Sequence, residues 1–181
     1  MDELELKYTR IEYERRFLVA PASDWRSLVE PYSKAFEDKY IDGTRMRLRR
    51  LRDSDSERTV IKLTKKFESD SPYYQRIGRI LLTDDEAAVI DALPGVGLRK
   101  TRYYQNLDGR IFSIDVFEGE LEGLILCETE ADSLDELMSV AAPNYVSAGV
   151  TADPFFTGGH LCRVTREQLL SELDGRWSDL S

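Results

Sequence analysis

The sequence is poor in the residues that build soft metal centres and disulfide frameworks. Its single histidine, His160, and its two cysteines, Cys127 and Cys162, lie far apart and match no zinc-ligand spacing. No apolar run approaches the roughly 18 residues that cross a bilayer, and the acidic start of the chain is unlike a signal peptide. A Walker lysine motif and a G-x-S-x-G elbow are also missing. These absences predict a cytoplasmic protein with reduced thiols, no zinc centre and no membrane partner.

Length and charge narrow the class of protein further. The 181 residues predict a single domain, residues 1–181, that is long enough to bury a core. The net charge is −9, yet residues 45–66 hold nine Lys and Arg against three acidic residues. An acidic chain with one local basic block suits the capture of a small anion. Nucleic acid is a disfavoured partner, because the block lacks interleaved aromatic residues and the chain as a whole is acidic.

Charged side chains recur with a period of two along several segments. Successive side chains of a strand point to opposite faces, so Glu12, Glu14 and Arg16 share one face of the strand that contains them. The same period recurs in Arg45, Arg47 and Arg49, in Lys62 and Lys66, and in Glu128 and Glu130. A solvated sheet face also carries charge, but such faces normally mix both signs along one strand. Strands of a single sign therefore favour the wall of a binding site.

Strand-like segments dominate the predicted secondary structure. They cover 10–19, 37–41, 45–52, 58–67, 73–82, 98–106, 110–118 and 123–130. Asp42-Gly43 and Asp108-Gly109 are hairpin signals, which imply antiparallel neighbours. Capping residues predict four helices: 23–32, one after Thr83 that ends near Leu93, one after Ser133 and one after Thr165. The predicted fold class is mainly β (α+β), an eight-stranded antiparallel barrel with charge inside and a few peripheral helices.

Six short motifs in a fixed order resemble the CYTH superfamily, the triphosphate tunnel metalloenzymes. They are the family's E-x-E-x-K with arginine in the last position (Glu12, Glu14, Arg16), R-x-R (Arg47, Arg49), a lysine strand (Lys62, Lys66), K-x-R (Lys100, Arg102), an acidic hairpin (Asp115) and E-x-E (Glu128, Glu130). The resemblance runs from about residue 10 to residue 170. It implies an eight-stranded barrel that forms a tunnel, and hydrolysis or cyclisation of triphosphate compounds with Mg²⁺ or Mn²⁺ as cofactor.

The chemistry of these residues agrees with the roles that the resemblance implies. Residues two apart on a strand have Cα atoms roughly 6.5–7 Å apart, so paired carboxylates can share one hard cation. The implied metal ligands are Glu12, Glu14, Asp115, Glu128 and Glu130. The implied substrate-binding cations are Arg16, Arg47, Arg49, Lys62, Lys66, Lys100 and Arg102. By the same resemblance, Tyr40 orients the attacking water, and Arg16 joins it as a catalytic residue.

Three functions stay open at this point. The first is a metal-dependent phosphohydrolase whose partner is inorganic triphosphate or a small organic triphosphate. The second is a class IV-type adenylate cyclase. The third is a non-catalytic sensor of triphosphate or polyphosphate, because Arg16 stands where the family has lysine and arginine cannot act as a general base. The sequence does not distinguish a monomer from a homodimer.

Overall fold

Eight antiparallel strands close into a barrel in the structure, a computed structural model that describes residues 7–178. The barrel strands are β1 (Arg10–Val19), β2 (Ser33–Ile41), β3 (Met46–Asp53), β4 (Thr59–Lys66), β5 (Tyr74–Leu82), β6 (Gly95–Leu107), β7 (Arg110–Phe117) and β8 (Ile125–Ala131), and a short additional strand is β9 (Val146–Gly149). Neighbours follow the order β5-β4-β3-β2-β6-β7-β8-β1, and pairing of β1 with β5 closes the ring. On the same edge of β1, β5 pairs with residues 10–13 and the short β9 pairs with residues 17–19. The predicted eight-stranded antiparallel barrel is confirmed.

The hairpin between β6 and β7 shows how local sequence sets the antiparallel order. Asp108 and Gly109 have φ angles of 52° and 83°. A two-residue turn with positive φ at both positions matches the twist of the strands that it connects, and Asp-Gly adopts this turn readily. Strand pairing continues directly up to the turn, where Leu107 faces Arg110.

Within the described part of the chain, four α-helices lie outside the barrel wall. They are α1 (Asp84–Asp91), α2 (Leu134–Ser139), α3 (Gly158–Leu161) and α4 (Arg166–Ser178). The predicted capping box of α1 is present, because Thr83 accepts from the Glu86 amide and Glu86 accepts from the Thr83 amide. Ala87 of this helix packs on Leu48 and Ile61, which point outward from β3 and β4.

Alternation along the strands gives the barrel a charged interior and an apolar exterior. On β3, Leu48 is fully buried under α1, whereas Arg47 and Arg49 line the interior. One end of the interior is apolar, where the C-terminal segment packs across the barrel opening. The main residues of this closed end are Leu18, Leu98, Phe117, Leu126, Phe156, Leu161, Leu169 and Leu173. The barrel therefore has a floor at one end and a polar mouth at the other.

Two predicted boundaries were wrong, and one strand was missed. The helix expected over 23–32 is only a 3₁₀ turn, Trp25–Leu28, and β2 already begins at Ser33. Pro31 disfavours helical geometry at the residue before it, and Trp25 instead packs on Tyr103 with ring centroids 5.6 Å apart. The predicted start of β6 was also wrong, because the strand begins at Gly95 rather than at residue 98. The four-residue β9 was not predicted.

Two sequence expectations concern features beyond the barrel. Within residues 7–178, no helix combines the length and the apolar character that crossing a bilayer requires. The ends of the predicted domain, residues 1–6 and 179–181, lie outside the described residues. The extent of the domain, 1–181, therefore stays a prediction.

Candidate functional site

The barrel interior holds a cavity of about 230 Å³ whose wall is mostly charged. The cationic lining residues are Arg10, Arg16, Lys34, Arg47, Arg49, Lys62, Lys66, Arg79, Lys100 and Arg102. The anionic ones are Glu12, Glu14, Glu128 and Glu130. Among the described lining residues, ten cations thus face four carboxylates inside a chain of net charge −9. The volume is below the roughly 300–1,000 Å³ of pockets for drug-sized ligands, and it suits a small anion.

Strand direction sorts the lining residues by depth. Along β1, Arg10 lies at the exposed mouth, Arg16 lies deep, and Leu18 belongs to the apolar floor. The adjacent strands run in the opposite direction, so on β8 the mouth residue is Glu130 and the deeper one is Glu128. An anion that enters from the mouth therefore meets a denser set of buried charges as it approaches the floor.

A buried aspartate that the sequence analysis missed, Asp38, orients two arginines. Arg49 donates to both of its oxygens, at 2.5 Å from Nε and 2.6 Å from Nη2. Arg47 Nη1 lies 3.6 Å from Asp38 Oδ2. Burial alone would raise the pKa of Asp38, but the charges of Arg47 and Arg49 outweigh it and the pKa is lowered. The carboxylate stays ionised and holds both guanidinium groups against the wall.

Asp115 plays the same part for a second pair of cations. The sequence analysis placed it among the metal ligands, but the structure buries it completely and engages both oxygens. Arg102 donates from Nε to Oδ1 at 2.6 Å and from Nη2 to Oδ2 at 2.7 Å, and Lys100 also contacts Oδ2. The strand register explains this geometry, because Arg102 lies directly across from Asp115 on β6 and β7. Asp115 therefore orients two cations that line the cavity and does not itself line it.

Arg16 links two carboxylates of the wall to the floor. Its Nε donates to Glu128 at 2.9 Å, its Nη2 contacts Glu14, and its Nη1 donates to the Phe156 carbonyl at 3.1 Å. Arg102 Nη2 donates to the other oxygen of Glu128 at 2.6 Å. Burial would raise the pKa of Glu128, but the surrounding cations lower it well below its usual range. Glu128 is thus a permanent anion shared between two arginines.

The acidic side of the mouth has the donor chemistry of a hard-cation site. Glu14 and Glu130 face each other across β1 and β8, while Glu12 is bound by Arg79 at 3.0 Å and by Arg10. Within residues 7–178, Glu130 has no hydrogen-bond or ion-pair partner for its carboxylate. Desolvation and then the charges of Glu12 and Glu14 raise the pKa of Glu130. Carboxylate oxygens are the donors that Mg²⁺ and Mn²⁺ prefer.

These carboxylates are not already gathered into a finished metal centre. In the described part of the chain, no three acidic, histidine or cysteine side chains converge closely enough to hold an ion. The arginine contacts explain this, because Arg16 holds Glu14 and Glu128 while Arg10 and Arg79 hold Glu12. Binding of a cation would require some of these ion pairs to exchange partners.

Two cationic groups that line the cavity have unused donors, the partly buried Arg47 and the solvent-exposed Lys66. Arg47 Nε is buried and has no acceptor among the described residues. A buried unpaired donor costs about 1–3 kcal/mol, so such a group in a native wall indicates a missing ligand. The ammonium of Lys66 likewise has no hydrogen-bond partner in residues 7–178. Desolvation, together with the charges of Arg47 and Arg16, lowers the pKa of Lys66, although Glu14 opposes the shift.

Tyr40 stands where the charged wall meets the floor. It lies across from Arg47 on β2 and β3. Burial raises the pKa of Tyr40, although Arg47 opposes the shift, so its phenol stays neutral. A Cβ atom added at Gly158 of α3 would lie 2.0 Å from the Tyr40 hydroxyl. The glycine therefore leaves room for this hydroxyl at the bottom of the cavity.

The structure brings nearly all the predicted site residues to one cavity. Those that line it are Glu12, Glu14, Arg16, Tyr40, Arg47, Arg49, Lys62, Lys66, Lys100, Arg102, Glu128 and Glu130, and Asp115 lies behind the wall. The sequence analysis missed Asp38, Arg10, Lys34 and Arg79. Lys34 and Asp38 share the face of Tyr40 on β2, so the period of two was an available signal. Lys34 was overlooked because the predicted strand began at residue 37, whereas Asp38 lay inside that strand as the single acid on its inward face.

Comparison with known proteins identifies a related sequence and solved structures of the same fold. No family model matches the chain. An inorganic triphosphatase of Nitrosomonas europaea is 32% identical over 143 residues, which span 78% of this chain and 90% of that relative. The crystal structure of the inorganic triphosphatase NE1496 is 25% identical, has a TM-score of 0.55, and covers 84% of this chain and 95% of its own. The PH1819 protein of Pyrococcus horikoshii OT3 shares the fold, with 21% identity, a TM-score of 0.52, and coverage of 70% and 82%.

Proposed function

The chain belongs to the CYTH superfamily of triphosphate tunnel metalloenzymes, and we propose that it is a metal-dependent triphosphatase that hydrolyses inorganic triphosphate inside its barrel. The observation that carries the proposal is the small cavity in which ten cations face a wall of four glutamates. A triphosphate and a divalent cation together need this combination of donors and acceptors. Small organic triphosphates belong to the same substrate class, because they carry the same triphosphate group. Their organic part would lie at the mouth of the barrel.

Substrate binding uses cations that the fold has already oriented. Arg49 and Arg102 are each fixed by two hydrogen bonds to a buried aspartate. Arg47 offers its unpaired Nε, for which a phosphate oxygen is the missing acceptor. Groups held in place before the substrate arrives need little reorganisation during the reaction, and this makes their electrostatic stabilisation large.

Glu12, Glu14, Glu128 and Glu130 would hold the divalent cation. When bound, Mg²⁺ or Mn²⁺ would neutralise charge on the phosphate oxygens and make a bound water more acidic. Oxygen-only donors favour these two ions over zinc. Asp115 is left out of this set, because it is completely buried behind the wall and does not line the cavity.

The deep end of the cavity supplies the groups that hydrolysis needs. Water attacks the terminal phosphorus, the bond from that phosphorus to the bridging oxygen breaks, and pyrophosphate leaves. The two protons of the water leave with the phosphate and pyrophosphate products. Arg16, Arg47 and the ammonium of Lys66 stabilise the charge that spreads over the phosphoryl oxygens. The neutral phenol of Tyr40 orients the water. Arg16 stays protonated and binds phosphate.

Phosphate release tests this function directly. Purified protein is given tripolyphosphate, ATP or thiamine triphosphate, each with Mg²⁺ or Mn²⁺. We expect metal-dependent phosphate release from tripolyphosphate. We also expect its loss in Glu14→Gln but not in Glu68→Gln, a glutamate on the outer surface paired with Arg45. Formation of cyclic AMP from ATP would favour the cyclase, and tight triphosphate binding without turnover would favour the sensor.

A further inference from the structure

The guanidinium of Arg16 is bound on every side, although it faces the cavity that receives the substrate. It donates to Glu128 and to the Phe156 carbonyl, and it contacts Glu14. Only 12% of its side chain is exposed. A phosphate can therefore gain the full set of Arg16 donors only when one of these contacts breaks.

The same contacts occupy carboxylates that would hold the cation. Among the described residues, Glu14 has Arg16 as its only ion-pair partner, and Glu128 is shared by Arg16 and Arg102. A divalent cation that approaches Glu14 therefore competes with a fixed guanidinium. Lysine, the residue of the family motif at this position, carries one point of charge and cannot form such a planar fork.

A cation alone would displace Arg16 into unfavourable surroundings. Arg16, Arg47 and Lys66 line the same small cavity, so these three cations share one site. A guanidinium released from Glu14 would meet like charge. A bound triphosphate removes this electrostatic penalty, because its oxygens provide Arg16 with a new anionic partner in place of Glu14.

We propose that Arg16 couples the binding of the two ligands. In the free protein, Arg16 is paired with Glu14 and Glu128. When triphosphate binds, Arg16 pairs with its phosphate oxygens instead, and the two carboxylates become available to the divalent cation. The inference rests on the proposed triphosphatase function. Its consequence is that the cation binds weakly to the free protein and tightly once triphosphate is present. By linkage, the cation strengthens triphosphate binding to the same degree.

The first test is calorimetric titration with Mn²⁺ alone. In Arg16→Met the competing guanidinium is gone, and we expect the cation to bind about tenfold tighter or more, the effect of one charge-assisted hydrogen bond. Arg47→Met is the matched control. It removes the same charge with the same replacement from the same wall, but Arg47 contacts neither glutamate. We expect its effect to stay below about threefold, as for a screened, non-contacting charge.

The second test repeats the titration with a saturating non-hydrolysable triphosphate, imidotriphosphate. This analogue chelates Mn²⁺ by itself, but that contribution is the same for every variant. We expect the analogue to tighten Mn²⁺ binding more in wild type than in Arg16→Met, by about the factor that separates the two proteins without it. Circular dichroism checks folding. If Arg16→Met does not fold, Arg16→Lys is used and is expected to bind Mn²⁺ tighter than wild type.

The outcomes separate this inference from the function on which it rests. Equal Mn²⁺ affinity in wild type and Arg16→Met, or equal gains in Arg16→Met and Arg47→Met, overturns the coupling and leaves the triphosphatase standing. Absence of Mn²⁺ binding in every protein, with and without the analogue, overturns the metal site and the coupling together. Phosphate release from tripolyphosphate, measured with the same protein preparations, shows which of the two has failed.

Discussion

At the scale of single residues, the contact between Gly158 and Tyr40 decides how the cavity floor meets the substrate. Gly158→Ala should lower the turnover of tripolyphosphate by about tenfold or more, because the new methyl group forces the Tyr40 hydroxyl to move. Gly159→Ala is the control, since a Cβ atom there meets nothing within 4 Å. Steady-state phosphate release measures both. Equal activity of the two variants would show that the position of the hydroxyl is unimportant.

Asp38 gives a prediction for stability and pH. Asp38→Asn should lower the free energy of unfolding at pH 7 by about 3–5 kcal/mol, because it leaves the buried Arg49 without its counter-ion. The folded-state pKa of Asp38 is lowered, so its contribution is present above the unfolded value of about 4 and is lost as pH falls through the folded value.

Urea unfolding at pH 7 and at more acidic pH measures this difference. The gap between wild type and Asp38→Asn should narrow as the pH falls below about 4. The exposed Asp55→Asn should lie within about 0.5 kcal/mol of wild type at each pH. A gap that stays constant down to the acid transition would mean that Asp38 acts through packing rather than through charge.

At the scale of elements, α4 fastens the floor to the barrel end. Leu169 is completely buried there, whereas its neighbour Leu170 is 43% exposed. Leu169→Ala should lower the free energy of unfolding by about 2–5 kcal/mol, and Leu170→Ala by about 0.5 kcal/mol or less. Denaturant unfolding measures both. Similar losses would place the helix contact elsewhere on α4.

Strands were predictable where charged side chains recurred with a period of two along one face. The alternation in β1, β3 and β8 fixed both their type and their inward face, because a register slip would bury the wrong face. The segment 23–32 was mispredicted because its capping signals act locally, whereas burial of Trp25 depends on the distant Tyr103. The strand β9 has only four residues and exists through its pairing with β1, which no local pattern encodes.

The candidate site was predictable for the residues that face the cavity and less so for those behind it. Arg47 and Glu128 could be predicted because each belongs to a run of like charges that recurs with a period of two. Asp115 is also acidic, but its role depends on the register that sets Arg102 across from it. Asp38 is the single acid on the inward face of β2, and its importance follows only from the two arginines, Arg47 and Arg49, on the neighbouring strand.

At the scale of the whole molecule, charge is segregated between a cationic interior and an acidic remainder. We expect the kcat/KM for tripolyphosphate to fall several-fold as ionic strength rises from about 0.01 M to 0.15 M, because the Debye length shrinks from about 30 Å to 8 Å. Buried pairs at the floor are screened less, so kcat at saturating substrate should change little. Initial rates at constant free metal concentration measure both. A kcat/KM that does not depend on salt would argue against long-range attraction by the cavity.

The pairing of β1 has a consequence for how the protein folds. Arg10 pairs with Ile77 and Glu14 pairs with Glu130, so both edges of this strand are made by distant parts of the chain. Contacts of such long sequence separation form slowly, and the carboxylate wall exists only once they have formed. A partly folded chain therefore has nothing with which to recognise the substrate. The ligand should therefore bind only the fully folded protein. At a concentration of 100 times its Kd, it should raise the free energy of unfolding by about 2.7 kcal/mol.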